Sequence, residues 1–88
     1  MINEYIDDRG NLIRILGMIG LMFSDTREQF FVGSEVLVGN DYCIAIFQDD
    51  VRYFDKNDKR VLTEPKIKEI ITKVLEILKS NNVKALLM

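Results

Sequence analysis

Asp49 and Asp50, followed by Asp55 and Asp58, bring four carboxylates into ten residues. Hard divalent cations take oxygen ligands, so a cation site is the first chemistry such a stretch raises. The spacing argues against it. No glycine stands at the sixth position of a calcium-type loop, no glutamate closes one, and Lys56, Lys59 and Arg60 sit among the acids as competing charges. A solvated loop, or a surface that meets another protein, accounts for the same residues.

Other chemistries fare no better. Glu35 lies in a predicted strand where burial would raise its pKa, but nothing fixes a second carboxylate beside it for acid and base roles. A surface strand residue, or an ion pair with Arg14 or Arg52, is the simpler assignment. Cys43 has no histidine to activate it, because the chain contains none, and its apolar neighbours predict a small core residue. Gly17-Met18-Ile19-Gly20 and Gly33 are not followed by the Gly-Lys-Ser or Gly-Lys-Thr ending that a phosphate loop requires. Lys56, Lys59, Arg60, Lys66, Lys68, Lys73 and Lys79 are interleaved with acids and accompanied by no ribonucleoprotein-type aromatic motif, which predicts a solvated helix face and not a nucleic-acid surface. Met18, Met22, Phe30 and Phe31 read as core. The residues thus assign no catalytic group, no cofactor and no metal.

Charge is segregated along the chain. Residues 1 to 50 hold nine Asp and Glu against three Arg, net −6, and residues 51 to 88 hold five against nine, net +4, together the stated −2. A strong electrical polarity without histidine points to binding and away from catalysis. Eighty-eight residues, 48% hydrophobic and 30% charged, make one domain, residues 1–88. A single cysteine forms no internal disulfide, the amino terminus is acidic where a secretory signal is basic, and the apolar run Leu12 to Phe23 is shorter than the ~20 residues of a membrane span. These features predict a cytoplasmic protein.

The elements that must position these residues follow from pattern. Ile2 to Ile6, the turn formers Asp7-Asp8-Arg9-Gly10-Asn11 and the stretch from Leu12 predict a first hairpin. Leu12 to Phe23 reads as strand, with a helix from Asn11 as its competitor, because Gly17 and Gly20 suit a bent strand better than a helix interior. Gln29 to Val38 is a further strand, turned by Gly39-Asn40-Asp41 into Tyr42 to Phe47. That strand is apolar on both faces, with Tyr42, Ile44 and Ile46 on one and Cys43, Ala45 and Phe47 on the other, so something must cover each side. Candidates for the second cover are Leu12 to Phe23 folded over as a lid, or another chain. Gln48-Asp49-Asp50 then breaks the run before a short Val51 to Phe54 segment and a polar loop. Thr63, Glu64 and Pro65 mark a helix start, and Ile67, Ile70, Ile71, Val74, Leu75 and Leu78 recur at helical spacing to about Ser80. Asn81-Asn82 stops the helix, and Val83 to Leu87 forms a closing strand. The expected fold is α+β: a small antiparallel sheet of about five strands, one amphipathic helix at about 64–80 on one face, and a final short strand.

From Val32 onward the segments Val32-Gly33-Ser34-Glu35-Val36-Leu37-Val38-Gly39, Tyr42 to Phe47, Asp50-Val51-Arg52-Tyr53-Phe54 and the capped helix resemble the immunity protein 74 family, which accompanies bacterial polymorphic toxins of contact-dependent inhibition systems. The similarity spans about two thirds of the chain. Where that family usually shows a tryptophan and a proline pair, this chain has Phe54 and then Asp55-Lys56-Asn57. The resemblance implies a small, cytoplasmic, non-enzymatic protein that binds a cognate toxin domain, often a nuclease, and blocks its active site or substrate path. It implies no direct contact with nucleic acid or membrane. An acidic face would complement the basic surface of such a toxin. The expected contacts are Asp41, Asp49, Asp50 and Asp55, with Tyr53 as aromatic anchor and Glu35 at the margin. The alternative is a structural or regulatory homodimer joined through the second apolar sheet face.

Overall fold

Aspartates set the places where this chain reverses. In the computed structural model, which describes residues 3–39, 41 and 43–88, the Asp7 carboxylate accepts hydrogen bonds from the N–H groups of Arg9 and Asn11, both at 2.9 Å, and from Asn11 Nδ2 at 2.8 Å. Asp25 accepts from the N–H groups of Arg27 and Glu28, both at 2.7 Å. Asp55 and Asp58 do the same for Asn57 and Arg60 at 2.9 and 3.0 Å. Each short carboxylate satisfies backbone donors two to four residues on, which stabilises a turn without a strand partner.

Between these turns lie β1 (Glu4–Ile6), β2 (Leu12–Ile15), β3 (Leu21–Ser24), β4 (Gln29–Val36) and β5 (Ile44–Tyr53), an antiparallel meander in chain order. Helix α1 (Glu64–Ser80) follows, and β6 (Ala85–Leu87) joins the sheet beside β5. The fold is the expected α+β arrangement of antiparallel strands, one helix and a closing strand. β6 runs parallel to β5, with Ile44, Ala45 and Ile46 beside Ala85, Leu86 and Leu87. Helix α1, about 25 Å long at 1.5 Å per residue, carries the chain back along β5 and makes that direction attainable.

Helix α1 starts where its caps require. Thr63 Oγ1 accepts from the Lys66 N–H at 3.4 Å, Pro65 occupies the first turn, and Asn82 leaves the helix with φ 60°. Its buried stripe, Ile70, Ile71, Val74, Ile77 and Leu78, packs into the inner sheet face. The sheet registers bring Tyr5, Ile13, Phe23, Phe30 and Tyr53 into one row across five strands. Within it the Phe23 and Phe30 rings lie 6.3 Å apart, and Phe30 and Tyr53 5.3 Å apart. Each fully buried member of this core contributes roughly 1.5–3 kcal/mol relative to exposure. α1 touches β5 and β6 at one side of the sheet and β1 at the other, so the sheet curls around it. The Asn81 amide, which caps Ile77 O at 2.8 Å, also reaches Ile6 O in β1 at 3.4 Å.

Four local expectations are corrected. Leu12 to Phe23 is neither one strand nor a lid. It forms β2 and β3, separated by a turn in which Leu16 N–H donates to Gly20 O at 2.9 Å and Gly17 adopts φ 88°, a left-handed conformation that glycine takes without strain. Gln48-Asp49-Asp50 does not end a strand, because pairing with β4 resumes at Val51. Cys43 is exposed and not a core residue, since it precedes β5 at the hairpin end. The second face of β5 is not a broad apolar surface either. Ala45 is small and buried between Glu35 and Leu86, and half-buried Phe47 lies opposite Gly33. The expectations for Ile2, Asn40 and Tyr42 lie outside the described residues.

The turn aspartates tie stability to pH. Burial pushes the Asp25 carboxyl up, but the N–H groups of Glu28 and Arg27, helped by the charges of Lys66 and Lys73 on α1, outweigh it and hold the group below the usual 3.8. Asp7 behaves likewise, its burial outweighed by Asn11 and Arg9. A depressed folded-state pKa contributes stability that is complete above 3.8 and is lost as pH falls through the folded value. Thermal melts of Asp25→Asn at pH 6 should therefore show a lower midpoint than the parent, by roughly 4–8 °C for each kcal/mol lost. The difference from the parent should close as pH falls toward 2, and a difference independent of pH would contradict the assignment.

Candidate functional site

The site is built around an irregularity between β4 and β5. Val32 pairs with Val51 and Gly33 with Phe47, so Gln48, Asp49 and Asp50 are extra residues on β5 alone. Such a bulge bends its strand and re-aims the side chains it carries. Gly33 makes it feasible. A Cβ there would lie 2.8 Å from Asp50 Cβ and 2.9 Å from its carboxyl carbon, and closer still to a carboxylate oxygen. The Asp50 side chain occupies the space that every other residue at position 33 would fill.

On the outer face the same strands carry a chain of contacts. Asp50 Oδ1 accepts from an Arg52 guanidinium nitrogen at 2.8 Å, and the guanidinium lies 4.0 Å from the centroid of the Phe31 ring. Phe31 is thereby almost fully covered, with Met22 buried beside it in register. The ion pair is exposed on both sides, worth at most about 1 kcal/mol, and its effect is to orient Asp50. Asp49, next to it, is exposed, as are Glu35 on the outer face of β4 and Asp41 at the hairpin end. Among the described residues these three carboxylates have no hydrogen-bond or ion-pair partner. Glu35 pairs with neither expected arginine, since Arg14 is bound to Glu4 at 2.7 Å and Arg52 to Asp50.

Tyr53 and Asp55 lie toward the far end of β5 from Asp41 and line one groove with Asp50. Ten residues of β5 span roughly 30 Å at ~3.3 Å each, close to the whole long axis of 37 Å. The Tyr53 ring lies between Phe30 and the Arg60 guanidinium, 4.2 Å from its centroid. Arg60 in turn binds Asp58 at 2.7 Å and Glu28 at 3.1 Å, fastening the 55–60 turn to the turn between β3 and β4. Hydrogen bonds from Arg60 hold the Asp58 carboxyl below its ordinary range. Glu35, Asp41, Asp49 and Asp50 thus all belong to the β4–β5 hairpin, whereas Asp50, Tyr53 and Asp55 line one open groove. Asp55 spends one oxygen on its own turn.

A repeated spacing in the sequence foreshadows these contacts. Asp-x-Arg occurs at Asp7, Asp25, Asp50 and Asp58. In turns it becomes a carboxylate accepting the N–H of the arginine, and in β5 it becomes a same-face ion pair. Arg52 and Arg60 were legible as partners through it, whereas their positions over Phe31 and Tyr53 depend on register.

Among the described residues no three carboxylates or thiols converge in a way that could hold an ion. Ser34 is buried with its hydroxyl unpaired, opposite Ile46 in the core. No helix among the described residues is long and apolar enough to cross a membrane.

The fold and site define an α+β domain, a five-strand meander closed by a β–α–β unit, that presents an acidic ribbon at a bulge. Compared with known proteins, the chain matches no family model, no curated protein and no solved structure.

The bulge depends on residue 33 lacking a side chain. Gly33→Ala should lower stability in urea by about 1–3 kcal/mol through overpacking. Combining it with Asp50→Gly, which removes the obstructing side chain, should recover most of that loss. Strict additivity in the double-mutant cycle would show that the contact does not shape the bulge.

Proposed function

We propose that this chain is an immunity protein, which binds a cognate bacterial toxin domain and neutralises it by covering its active site or substrate-binding surface. The observation that carries the reading is the ribbon of exposed carboxylates Glu35, Asp41 and Asp49, uncommitted among the described residues, with Asp50 oriented beside them at the bulge. Carboxylates tied into turns or ion pairs are already compensated, whereas free ones retain their charge for a partner. A basic surface made for phosphate is the complementary target, so a nuclease domain is the toxin class that fits. The resemblance of the segment from Val32 onward to immunity proteins supports the same reading. On it the protein works in the cytoplasm by binding alone, without cofactor or metal.

The contact is centred on Asp49 and Asp50, with Asp41 and Glu35 around it. Tyr53 and Asp55, which line one groove with Asp50, extend that contact toward the 55–60 turn. An acid-lined contact of this kind associates rapidly and weakens with added salt.

Co-expression with the product of the neighbouring upstream reading frame, followed by pull-down, tests the function directly, and co-purification is the expected result. Asp49→Lys with Asp50→Lys should weaken toxin binding by at least about a hundredfold, an effect of the size seen when buried or near-buried charge pairs are reversed. Undiminished binding by this variant would remove the acidic ribbon from the interface. Failure of the two products to associate at all would remove the function.

A further inference from the structure

The outer edge of β5 is occupied along only half its length. β6 pairs with Ile44, Ala45 and Ile46, and the contact ends where Gln48 N–H donates to Met88 O at 3.2 Å. Beyond the bulge, Val51, Arg52 and Tyr53 pair with β4 on one side, and among the described residues no strand lies on the other. The direction of the free groups follows from the ladder. Phe54 N–H donates to Gln29 O at 3.1 Å, and the register continues through Phe31 and Arg52. In an antiparallel pair every second residue turns its backbone groups to the neighbour, so Arg52 and Phe54 face β4 while Val51 and Tyr53 face outward. Arg60 ties the 55–60 turn to Glu28 in the turn between β3 and β4.

We propose that this edge pairs with the same edge of a second copy, forming a two-fold dimer centred on Val51. The sequence Asp49-Asp50-Val51-Arg52-Tyr53 is complementary to itself when run antiparallel. Val51 then meets Val51 of the second copy, and the two residues exchange both N–H···O=C bonds. Asp50 stands opposite Arg52 of the second copy, twice over. Both side chains lie on the outer face, Asp50 against Gly33 and Arg52 over Phe31, so each pair is formed on one surface. Directly opposed residues in a non-hydrogen-bonded antiparallel pair approach to about 4.5–5.5 Å, closer than the ~7 Å between alternate residues of one strand. The Asp50–Arg52 ion pair that exists within one chain at 2.8 Å thus has a better-placed equivalent between chains. An unrelated apolar partner would have no use for alternating acid and base about a central valine. This interface lies on the strand edge, not on the second sheet face, and it shares Asp50 with the proposed toxin contact.

Light scattering on the intact chain from micromolar to millimolar concentration is the first measurement, and a concentration-dependent dimer is the expected result. Charge reversal then locates the interface. D50R and R52D each place like charges opposite one another and should weaken self-association about tenfold. Mixed together, D50R presents only bases and R52D only acids, so the two should form a mixed dimer at least as tight as the parent. That mixed dimer also demonstrates that both variants are folded. A parent chain that stays monomeric at every concentration overturns the proposal and leaves the edge to a strand of some other protein. A parent that dimerises while D50R and R52D show no preference for one another overturns it too.

Discussion

Burial of the α1 stripe in the concave face of the sheet is the constraint on which the rest of this fold depends. β1 and β6 are each three residues long and flank the sheet at its two edges, positions where isolated strands are marginal. Both touch α1. A flat sheet could not bring its first and last strands to one helix, so the curl is a direct consequence of covering Ile70, Ile71, Val74, Ile77 and Leu78 on all sides. The same packing fixes strand register. A slip of one residue would turn Phe23 or Phe30 outward and put Met22 or Phe31 into the helix contact, with the loss of several fully buried side chains. The inner face is therefore committed to structure, and any binding must use the outer face, the edges or the turns.

Local signals were sufficient for most of this. Thr63, Pro65 and the spacing of Ile70, Ile71, Val74 and Leu78 define α1 because capping and amphipathic periodicity act over a few residues. The hairpin between β1 and β2 is written in Asp7 and Asn11, whose side chains close the turn. What escaped pattern was long-range. The break inside Leu12 to Phe23 is marked by Gly17 and Gly20, but an apolar run gives no alternation to show whether glycines bend one strand or separate two. The continuity of β5 through Gln48-Asp49-Asp50 depends on Gly33, fifteen or more residues earlier, providing the space for Asp50. Cys43 looked like core because its neighbours are apolar, and only the hairpin end decides that it is exposed. The parallel docking of β6 likewise depends on how far α1 carries the chain.

Among the candidate contact residues the same division holds. Asp41 was legible in a hairpin turn, and Asp49 and Asp50 as polar residues after an apolar strand. Their common ribbon with Glu35 was not, since it requires the register that sets Glu35 beside Ala45 and Gly33 beside Phe47. Tyr53 and Asp55 sit toward the opposite end of β5 from Asp41, because an extended strand converts a few residues into many ångströms, and they share a groove with Asp50.

The acidic excess of the first fifty residues consequently has two physical origins. Asp7 and Asp25 are turn residues whose charge is spent on backbone donors, and Glu28 is spent on Arg60. Glu35, Asp41 and Asp49 are not spent in this way among the described residues. A bulge is a costly place for two adjacent aspartates, since like charges repel and the ladder loses pairing, unless the deformation serves to aim them. Gly33 removes the steric obstacle and Arg52, held over Phe31, offsets the repulsion at Asp50. Asp49 is then left as an exposed charge on a strand whose first residues, Ile44, Ala45 and Ile46, are buried in the core. A surface group positioned by packing loses little entropy on meeting a partner, and in this fold the bulge is where that condition and free charge coincide.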